Sequence, residues 1–314
     1  MTVAFTFPGQ GSQAVGMGKA LADAHPEARA VFEEVDEALG EKLSVIMWEG
    51  PKEALTLTEN AQPALMAHSM AVVRVLEARG IDIARHVAFV AGHSLGEYSA
   101  LAAARAFSLA DTARLLRIRG RAMQKAVPVG AGAMAALLGV GRDAAEAIAT
   151  EAAEGEVCQV ANDNDPAQVV ISGAKAAIER AMAIAKAHGA KRAIPLEVSA
   201  PFHCQLMQPA ADAMAEALAA VKVAAPLVPV VSNVAASATS DPDEIRRRLV
   251  AQVTGTVRWR ESVAWMGENG VTLAAELGSG KVLTGLARRI VASLEARAAG
   301  GPEDVEALAA SLTG

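Results

Sequence analysis

The fold of this chain is decided by one stretch, Val87-Ala88-Phe89-Val90-Ala91-Gly92-His93-Ser94-Leu95-Gly96-Glu97-Tyr98. A short apolar run ends at Gly92, and an alanine-rich segment with helical spacing begins just after Ser94. Glycine-x-serine-x-glycine between a strand and a helix is the nucleophile-elbow pattern of α/β enzymes. An ordinary glycine-serine turn is the alternative, but it does not require the flanking strand and helix. The serine also falls at a helix N-terminus, where unpaired N–H groups favour developing negative charge, so the stretch predicts a nucleophile at Ser94.

The composition indicates a soluble globular protein with an aliphatic interior. Of the 314 residues, 52% are hydrophobic, 20% charged and 3% aromatic. Since single cores begin to divide at roughly 250–300 residues, the chain is long enough for a large core and a second one. The net charge of −6 at pH 7, without a long basic run, argues against nucleic acid and anionic membranes as partners. No uncharged apolar run reaches membrane-spanning length and no signal peptide is visible, so we expect a cytoplasmic protein.

The cysteines and the glycine-rich loops predict neither a metal nor a nucleotide cofactor. Cys158 and Cys204 are far apart and lack metal-ligand spacing, as expected of free thiols in a reducing compartment. Residues 9–14 resemble a dinucleotide loop, but the acidic residues about 20 positions on lie in a helical pattern rather than at a strand end. Residues 278–281 resemble a phosphate loop, but Ala275 and Val282 stand where that pattern needs glycine and serine or threonine.

The predicted helix over residues 109–126 carries one arginine on its apolar face. At roughly 100° per residue, its apolar arc contains Leu115, Ile118, Ala122, Met123 and Ala126. The opposite face is predicted to be a solvated charge stripe of Arg114, Arg117, Arg121 and Lys125. Arg119 falls within the apolar arc, and an unpaired buried guanidinium is very costly. Arg119 must therefore meet an anion, which is either a carboxylate from elsewhere in the chain or a substrate carboxylate bound bidentately.

Residues 128–198 follow a different order of elements from the rest of the chain. The pattern predicts strands over residues 133–139, 157–161, 168–172 and 191–198, and helices over residues 142–153 and 175–188. This β-α-β-β-α-β order is the ferredoxin-like signature. We therefore expect an α/β fold with two parts. Residues 1–127 and 199–314 form a larger α/β-hydrolase-like domain with a mostly parallel sheet, and residues 128–198 form an inserted ferredoxin-like subdomain.

His203 is the histidine best placed to act as a base. It lies where a predicted strand gives way to a loop and then to a helix over residues 205–221. Such strand-end loops gather the catalytic groups of α/β sheets. A structural histidine is the alternative, but a serine nucleophile requires a base. His93 is interpreted instead as a wall of the pocket, because it adjoins Ser94.

Weaker patterns complete the expected organisation. Residues 17–86 are predicted to be helices, including one over residues 62–79, and strands are predicted over residues 227–232 and 271–277. A helix is predicted over residues 242–253, and the tail beyond residue 292 is predicted to be a peripheral alanine-rich helix. Asn162 and Asn164 are interpreted as turn formers. Lys191 and Arg192 form a basic pair that is either a solvated edge or a binding site for phosphates.

Five motifs occur in order along nearly the whole chain, to about residue 295. They are Phe-Pro-Gly-Gln-Gly-Ser-Gln at residues 7–13, Gly-His-Ser-Leu-Gly-Glu-Tyr at 92–98, Arg-Ile-Arg-Gly at 117–120, Phe202-His203, and Glu-Leu-Gly-Ser-Gly-Lys-Val-Leu at 276–283. Together they resemble the malonyl-CoA:acyl carrier protein transacylases of type II fatty-acid synthesis and the related acyltransferase domains of polyketide synthases.

The resemblance implies ping-pong transfer of malonyl from coenzyme A to the phosphopantetheine thiol of acyl carrier protein. By this similarity Ser94 is the nucleophile and His203 is its base. The backbone N–H groups of Gln10 and Leu95 would form the oxyanion hole. The main-chain carbonyl of Gln252 would orient the base.

The resemblance also assigns residues to the substrate. Arg119 would bind the malonyl carboxylate, and Phe202 would narrow the pocket as in malonyl-selective polyketide enzymes. Further positions would line the coenzyme A cleft, namely Asn162, Gln168, Lys191 and Arg192. The implied partners are a coenzyme A thioester and acyl carrier protein, with no other cofactor, and we expect a monomer.

The chain departs from many relatives at Thr254-Gly255-Thr256, where an Asn-Pro usually precedes Val-x-Trp. Three other functions are alternatives. A stand-alone, trans-acting polyketide acyltransferase would share the chemistry, whereas a serine thioesterase would have a carboxylate orienting His203 and no buried cation. A docking module without turnover would have lost Ser94, His203 or Arg119.

Overall fold

The computed structural model describes residues 1–313. Ten strands form two sheets in this part of the chain: β1 (Val3–Phe7), β2 (Phe89–Gly92), β3 (Gly132–Leu138), β4 (Cys158–Asp165), β5 (Gln168–Ala174), β6 (Arg192–Pro195), β7 (Val230–Val231), β8 (Ala238–Thr239), β9 (Leu273–Leu277) and β10 (Glu295–Ala299). The apolar run before the elbow is β2, and it lies inside the larger sheet.

The helices surround these two sheets. They are α1 (Lys19–Ala24), α2 (Pro26–Leu39), α3 (Leu43–Glu49), α4 (Lys52–Thr56), α5 (Thr58–Ala78), α6 (Ile83–His86), α7 (Gly96–Ala103), α8 (Leu109–Ala126), α9 (Arg142–Ala153), α10 (Lys175–Ile184), α11 (Gln208–Ala219), α12 (Pro242–Thr254), α13 (Trp259–Glu268), α14 (Val282–Ile290) and α15 (Pro302–Thr313). None of the helices within residues 1–313 has both the length and the hydropathy needed to cross a bilayer.

The larger sheet has the order β10-β9-β1-β2-β7-β8, and all neighbours are parallel except β7 and β8. Strand β1 is buried along its whole length, as expected of a parallel strand covered on both faces. The carboxyl ends of β1 and β2 therefore meet at one edge of the sheet, and the elbow follows β2 there.

The smaller sheet has the order β4-β5-β3-β6 with every neighbouring pair antiparallel. It packs against α9 and α10 around a separate apolar core that includes Leu137, Ile148, Ile171 and Ile178. With a mostly parallel sheet and an antiparallel β-α-β-β-α-β sheet, the predicted fold class is confirmed. The domain boundaries at residues 128 and 198 stay a prediction.

The prediction of a turn at Asn162 and Asn164 was wrong, because β4 continues through both residues to Asp165. The strand gains partners on both sides. It pairs with β5, with two register shifts, and the amide of Val257 donates to the carbonyl of Ala161 at 2.9 Å. A sequence pattern of asparagine and aspartate favours a turn only when no such partner strands are present.

The tail beyond residue 292 was also predicted incorrectly in its first part. Residues 295–299 form β10, which pairs in parallel with β9 at the edge of the larger sheet. Small alanine side chains at Ala296 and Ala299 are buried there, so ladder hydrogen bonds outweigh the helix propensity of alanine. The later residues form α15, which buries Val305 and Leu308 rather than lying loose on the surface.

Helix α8 buries a different face from the predicted one. Ile118, placed in the apolar arc, is 41% exposed, whereas Arg117, placed on the solvated face, is only 5% exposed. The guanidinium of Arg117 donates to the carbonyl of Glu59 at 2.8 Å and contacts Glu41. Because α8 packs on α5, α2 and α11 together, its buried face is wider than one apolar stripe. Arg119 is buried, as the helix projection predicts.

The two elbow glycines are required because backbone segments approach each other closely. A Cβ atom on Gly92 would lie 1.9 Å from the carbonyl oxygen of Gly96, and one on Gly96 would lie 2.2 Å from that of Phe7. The strained residue is Ser94 itself, whose φ of 54° lies in the left-handed region. Such strain persists only where the surrounding structure holds it in place.

We expect Gly92→Ala to lower the free energy of unfolding by about 3 kcal/mol or more, because overpacking against rigid backbone is poorly relieved. Gly285→Ala is the matched control. Gly285 lies within α14, where a new Cβ would be 3.8 Å from its nearest atom, so alanine should stabilise the protein by about 0.5–1 kcal/mol. Chemical denaturation measures both. A Gly92→Ala variant as stable as the wild type would contradict this account of the elbow.

Candidate active site

Ser94 and His203 face each other across the carboxyl edge of the larger sheet. Nε2 of His203 lies 2.7 Å from Oγ of Ser94, and Nδ1 lies 2.9 Å from the main-chain carbonyl oxygen of Gln252. A carbonyl oxygen can only accept, so the proton of the neutral ring is on Nδ1 and Nε2 presents its lone pair to the serine hydroxyl. This is the tautomer that a base for Ser94 requires.

His203 is held neutral by its surroundings. Burial, together with the positive charge of Arg119, lowers the pKa of His203 to about 3, although the carbonyl of Gln252 acts in the opposite direction. Like Ser94, His203 has a φ in the left-handed region, at 58°. The ring is therefore a buried, unprotonated acceptor at neutral pH.

Arg119 reaches the same point from α8 and is 1% exposed. Its guanidinium donates to Oε1 of Gln62 at 2.8 Å, to Oε1 of Gln252 at 2.9 Å and to Oγ of Ser94 at 3.1 Å. It also lies over the ring of Tyr98, 5.6 Å from its centroid. Within residues 1–313, none of its hydrogen bonds ends on a carboxylate, which leaves the positive charge uncompensated by an ion pair.

Gln252 connects the base to the cation. Its main-chain carbonyl holds His203, while its side-chain Oε1 accepts from Arg119. The Nε2 of the same amide donates to Oε2 of Glu97 at 2.7 Å and to the carbonyl of Ser94 at 3.0 Å. The resemblance implied a role only for the main-chain carbonyl. Residues 254–256 differ from the Asn-Pro sequence of many relatives. Despite this difference, the Gln252 carbonyl lies within hydrogen-bond distance of His203.

Asn233 holds the elbow from the end of β7. Its Oδ1 accepts from the amide of Ser94 at 2.7 Å, and its Nδ2 donates to the carbonyl of Gly92 at 2.7 Å. Its own amide donates to Oε2 of Glu97 at 3.1 Å. These bonds fix both sides of the strained serine, so Asn233 maintains the conformation of Ser94.

Sequence reasoning did not identify Gln62, Glu97 or Asn233. Two signals were available. Asn233 directly follows a predicted strand, and polar residues at strand ends gather at one edge of an α/β sheet. Glu97 lies in the alanine-rich segment after the elbow, and Gln62 directly precedes the apolar residues 63–67. Polar residues in such segments must find partners when they are buried. The partners themselves lie far away in sequence.

The reacting groups open into a cavity of about 310 Å³. Its polar wall contains Ser94, His203, Arg119 and Gln62. Its apolar wall comes from α8, the smaller sheet and the segments that join it to the larger one, and consists of Met123, Met134, Leu196, Val198 and Phe202. A small acyl group bearing one charge matches this lining.

Gln10 and Leu95, whose N–H groups were predicted to form the oxyanion hole, are both near the catalytic groups, and the role itself stays a prediction. Both line the cavity, and Leu95 is the residue that precedes the first turn of α7. Within residues 1–313, neither backbone N–H donates a hydrogen bond to another group of the protein. The side chain of Gln10 is anchored separately, because its Oε1 accepts from Thr58 at 2.6 Å. Two free N–H groups beside Ser94 are suited to bind a developing oxyanion.

The remaining predicted substrate contacts divide into two groups. His93 and Asn162 line the cavity, and Nε2 of His93 lies 2.9 Å from Oδ1 of Asn164. In contrast, the lining does not include Gln168, Lys191 or Arg192. Lys191 and Arg192 are exposed at the edge formed by β6, with Gln168 at the start of β5. The structure therefore does not bring these three residues to the catalytic groups, and their contact with coenzyme A stays a prediction.

Taken with the fold, this geometry defines a serine acyl-transfer enzyme of the α/β class. A family model for the acyl transferase domain matches residues 4–298, and the chain belongs to that family. The predicted family resemblance is thereby confirmed.

Comparison with individual proteins gives the same result. The chain is similar to the malonyl CoA-acyl carrier protein transacylase of Escherichia coli (strain K12), with 48% identity over 309 residues covering 98% of each chain. It is also similar to the crystal structure of an acyl-carrier-protein S-malonyltransferase from Bartonella henselae, with 58% identity, a TM-score of 0.98 and 100% of both chains covered. A malonyl-transacylase solved in complex with a type II polyketide acyl carrier protein has a TM-score of 0.96 and 42% identity, over 99% of this chain and 100% of that one.

We expect the stability of the protein to depend on the ionisation of Glu97. Burial raises the pKa of Glu97 to about 7 from 4.5, although hydrogen bonds from Asn233 and Gln252 and the charge of Arg119 lower it. The folded protein thus holds a proton that the unfolded chain releases, and this contribution is full below pH 4.5 and lost as the pH rises through about 7. Since one pKa unit corresponds to about 1.36 kcal/mol, this contribution to the free energy of unfolding is about 3 kcal/mol.

Denaturation of the wild type and of Glu97→Gln at several pH values between 4.5 and 8 tests this expectation. Relative to the variant, the wild type should lose stability as the pH rises. Glu34→Gln, at an exposed position of α2, controls for removal of one carboxylate without loss of a buried contact. Parallel curves for the wild type and Glu97→Gln would show that Glu97 does not titrate in this range.

Proposed function

We propose that this protein transfers a malonyl group from malonyl-CoA to the phosphopantetheine thiol of acyl carrier protein, through a malonyl ester of Ser94. The observation that carries the proposal is the buried guanidinium of Arg119, which lies 3.1 Å from Oγ of Ser94 and makes no ion pair within residues 1–313. A nucleophile and an unneutralised cation in one cavity suit an acyl group that itself ends in a carboxylate.

The first half-reaction loads the enzyme. Nε2 of His203 accepts the proton of Ser94 as Oγ bonds to the thioester carbonyl carbon. The carbonyl oxygen becomes an oxyanion and accepts hydrogen bonds from the N–H groups of Gln10 and Leu95. When the carbonyl re-forms, the bond to sulfur breaks and the coenzyme A thiolate leaves with the proton from His203. The product is malonyl-Ser94.

The second half-reaction reverses these steps with a different thiol. The carrier protein's phosphopantetheine thiol gives its proton to His203 and attacks the ester carbonyl. Oγ of Ser94 departs and recovers the proton. Because both thiols must reach the same carbonyl through one cavity, coenzyme A has to leave first, and the kinetics are ping-pong. The transfer involves no oxidation or reduction. It therefore needs only the thioester and the acceptor thiol, and no further co-reactant.

Arg119 also limits the length of the acyl group. Its fork can bind both carboxylate oxygens, and Oγ of Ser94 is within one hydrogen bond of the same guanidinium. The reacting carbonyl and the carboxylate must therefore be close together, which favours a diacid with a single intervening carbon. Phe202 fills the wall beside His203 and leaves less room for a branch on that carbon.

The alternatives predict different arrangements. A serine thioesterase was expected to orient its histidine with a carboxylate, but the carbonyl of Gln252 occupies that position. A docking module without turnover does not account for Ser94 and His203 placed 2.7 Å apart. A trans-acting polyketide acyltransferase would use the same groups and differ only in its carrier protein. All of the groups named come from one chain, so the site is complete in a monomer.

The setting of the reaction follows from its substrates. We infer a cytoplasmic enzyme, in keeping with the buried free thiols of Cys158 and Cys204. Asn162 contributes to the cavity wall, and we place coenzyme A phosphates further out, at Lys191 and Arg192 beside Gln168.

Ser94→Ala is expected to abolish covalent loading by malonyl-CoA, because no other hydroxyl lies within hydrogen-bond distance of His203 in the described residues. Mass spectrometry of the intact protein after incubation with malonyl-CoA measures the ester. Ser99→Ala, which removes another buried hydroxyl of the same elbow helix, is the control and should load normally. A malonylated Ser94→Ala protein would mean a different nucleophile.

Arg119→Ala is expected to reduce kcat/KM for malonyl-CoA by about 10- to 100-fold, the worth of one buried charge-assisted pair. Transfer of acetyl, which has no carboxylate, should be spared. Arg119→Lys keeps the charge but not the forked guanidinium. Its kcat/KM for malonyl-CoA should lie between those of the wild type and Arg119→Ala. Steady-state kinetics with both donors and a phosphopantetheinylated carrier protein measure the ratio. Equal losses for the two donors would exclude the role of Arg119 in binding malonyl.

A further inference from the structure

The side-chain amide of Gln252 is buried completely and has two ends of nearly the same shape. Only one orientation suits Arg119, because the guanidinium carries donors and needs the oxygen end. In the observed orientation Oε1 lies 2.9 Å from Nη2 of Arg119. The reverse orientation would place N–H donors against N–H donors and leave Nη2 with Oγ of Ser94 as its remaining acceptor, so one buried N–H of the guanidinium would be unpaired.

In the described residues, three acceptors face the nitrogen end of this amide: the carbonyl of Ser94, Oδ1 of Asn233 and the carboxyl of Glu97, which is the one that can carry a charge. Its Oε2 accepts from Nε2 of Gln252 at 2.7 Å and from the backbone amide of Asn233 at 3.1 Å. At a pH above its pKa of about 7 Glu97 is ionised, and an ionised carboxylate is an acceptor only, so it requires the nitrogen end of the amide. The carbonyl of Ser94 accepts from the same nitrogen at 3.0 Å, but it also receives the amide of Glu97.

We propose that Glu97 is a positioning residue for malonyl recognition: its carboxylate sets the orientation of the Gln252 amide, which in turn aims the Arg119 guanidinium at the substrate carboxylate. The inference rests on the proposed function, since it concerns how the malonyl group is selected. Glu97 is 2% exposed and is not part of the cavity wall, so it acts through Gln252 and does not touch the acyl group.

The intervening amide also keeps the two opposite charges apart. A direct ion pair with Glu97 would occupy the donors of Arg119 and remove its attraction for an incoming carboxylate. Instead, Arg119 donates to the amide oxygens of Gln62 and Gln252 and to the hydroxyl of Ser94, all of which are uncharged. The cation is thereby oriented without being neutralised.

Burying a carboxylate in this way reduces stability, because its charged form loses its hydration. A purely structural contact to Nε2 of Gln252 needs only a neutral acceptor. A charge at Glu97 is explained if it fixes the donor and acceptor directions of the hydrogen bonds that run from Glu97 through Gln252 to Arg119. A neutral amide at position 97 would fit the same space and would offer either a donor or an acceptor.

Glu97→Gln tests the proposal in the full-length protein at pH 8, where Glu97 is mostly ionised, with malonyl-CoA and acetyl-CoA as donors. We expect KM for malonyl-CoA to rise about tenfold and the malonyl-to-acetyl ratio of kcat/KM to fall about tenfold, the equivalent of one charge-assisted hydrogen bond. The kcat for acetyl transfer should change less than about threefold, since His203 and Ser94 are untouched. Ser99→Ala on the same helix is the control for a change of packing and should keep the wild-type ratio.

Gln252→Met provides a second test that does not depend on the folding of Glu97→Gln. It removes the amide, keeps the main-chain carbonyl that holds His203, and should lower the same ratio. If Glu97 acts through the amide, adding Glu97→Gln in the Gln252→Met background should not lower the ratio further.

A malonyl-to-acetyl ratio that stays within about twofold of the wild type in either folded single variant would overturn the proposal, as would equal losses for both donors. Failure of the proposed function is distinguishable, because the wild-type protein would then form no malonyl ester of Ser94 at all.

Discussion

The structure depends on the cost of burying one positive charge. Arg119 is surrounded by neutral dipoles, from two glutamine amides, one serine hydroxyl and the ring of Tyr98. Its charge lies close enough to influence the ionisation of Glu97, Tyr98 and His203. Neutral acceptors reduce the desolvation cost but do not remove it. An anion that enters the cavity would offset the remaining cost, and in the proposed function that anion is the carboxylate of the acyl group.

This constraint explains why a carbonyl, rather than a carboxylate, orients His203. The Gln252 carbonyl contacts Nδ1 of His203, whereas Ser94 and Arg119 lie on the side of Nε2. A carboxylate at Nδ1 would add a second buried charge to the site and would partly offset the positive charge of Arg119. It would also repel the carboxylate of the acyl group. A neutral orienter stabilises a protonated imidazole less than a carboxylate would, so it only partly offsets the burial and the charge of Arg119 that lower the pKa of His203. Arg119 thereby stays without an ion pair in the described residues, and His203 is unprotonated at neutral pH.

The sequence allowed part of this site to be predicted, for a physical reason. The elbow around Ser94 is local, because two glycines, a strand and a helix lie within one short stretch. Arg119 was found because a charged residue on an apolar helix face is anomalous by itself. Glu97 and Asn233 were missed because their roles come from partners more than a hundred residues away, such as the pair Gln252 and Glu97.

The errors in the fold have the same origin. Asn162 and Asn164 were interpreted as turn residues because their local preference favours a turn, and the pairing with Val257 that overrides it is not visible in the local sequence. Strand β10 was missed because alanine favours a helix until an unpaired strand edge is available beside it. In both cases a tertiary partner outweighed a preference worth less than about 1 kcal/mol per residue.

The division of the cavity between the two sheets separates catalysis from selection. The strained Ser94 lies on the larger sheet, fixed by Asn233 and Gln252, and His203 faces it. The opposite wall contains Met134 of the smaller sheet and the segment that follows β6. Met134 belongs to the large apolar core, and Leu196 and Val198 pack against that same core. Apolar packing therefore holds this wall, whereas hydrogen bonds fix the elbow. In the proposed function, Arg119 sets the length and charge of the acyl group, and the wall sets its width. A substitution in the wall should therefore alter which acyl group is accepted, while the distance between Ser94 and His203 is maintained.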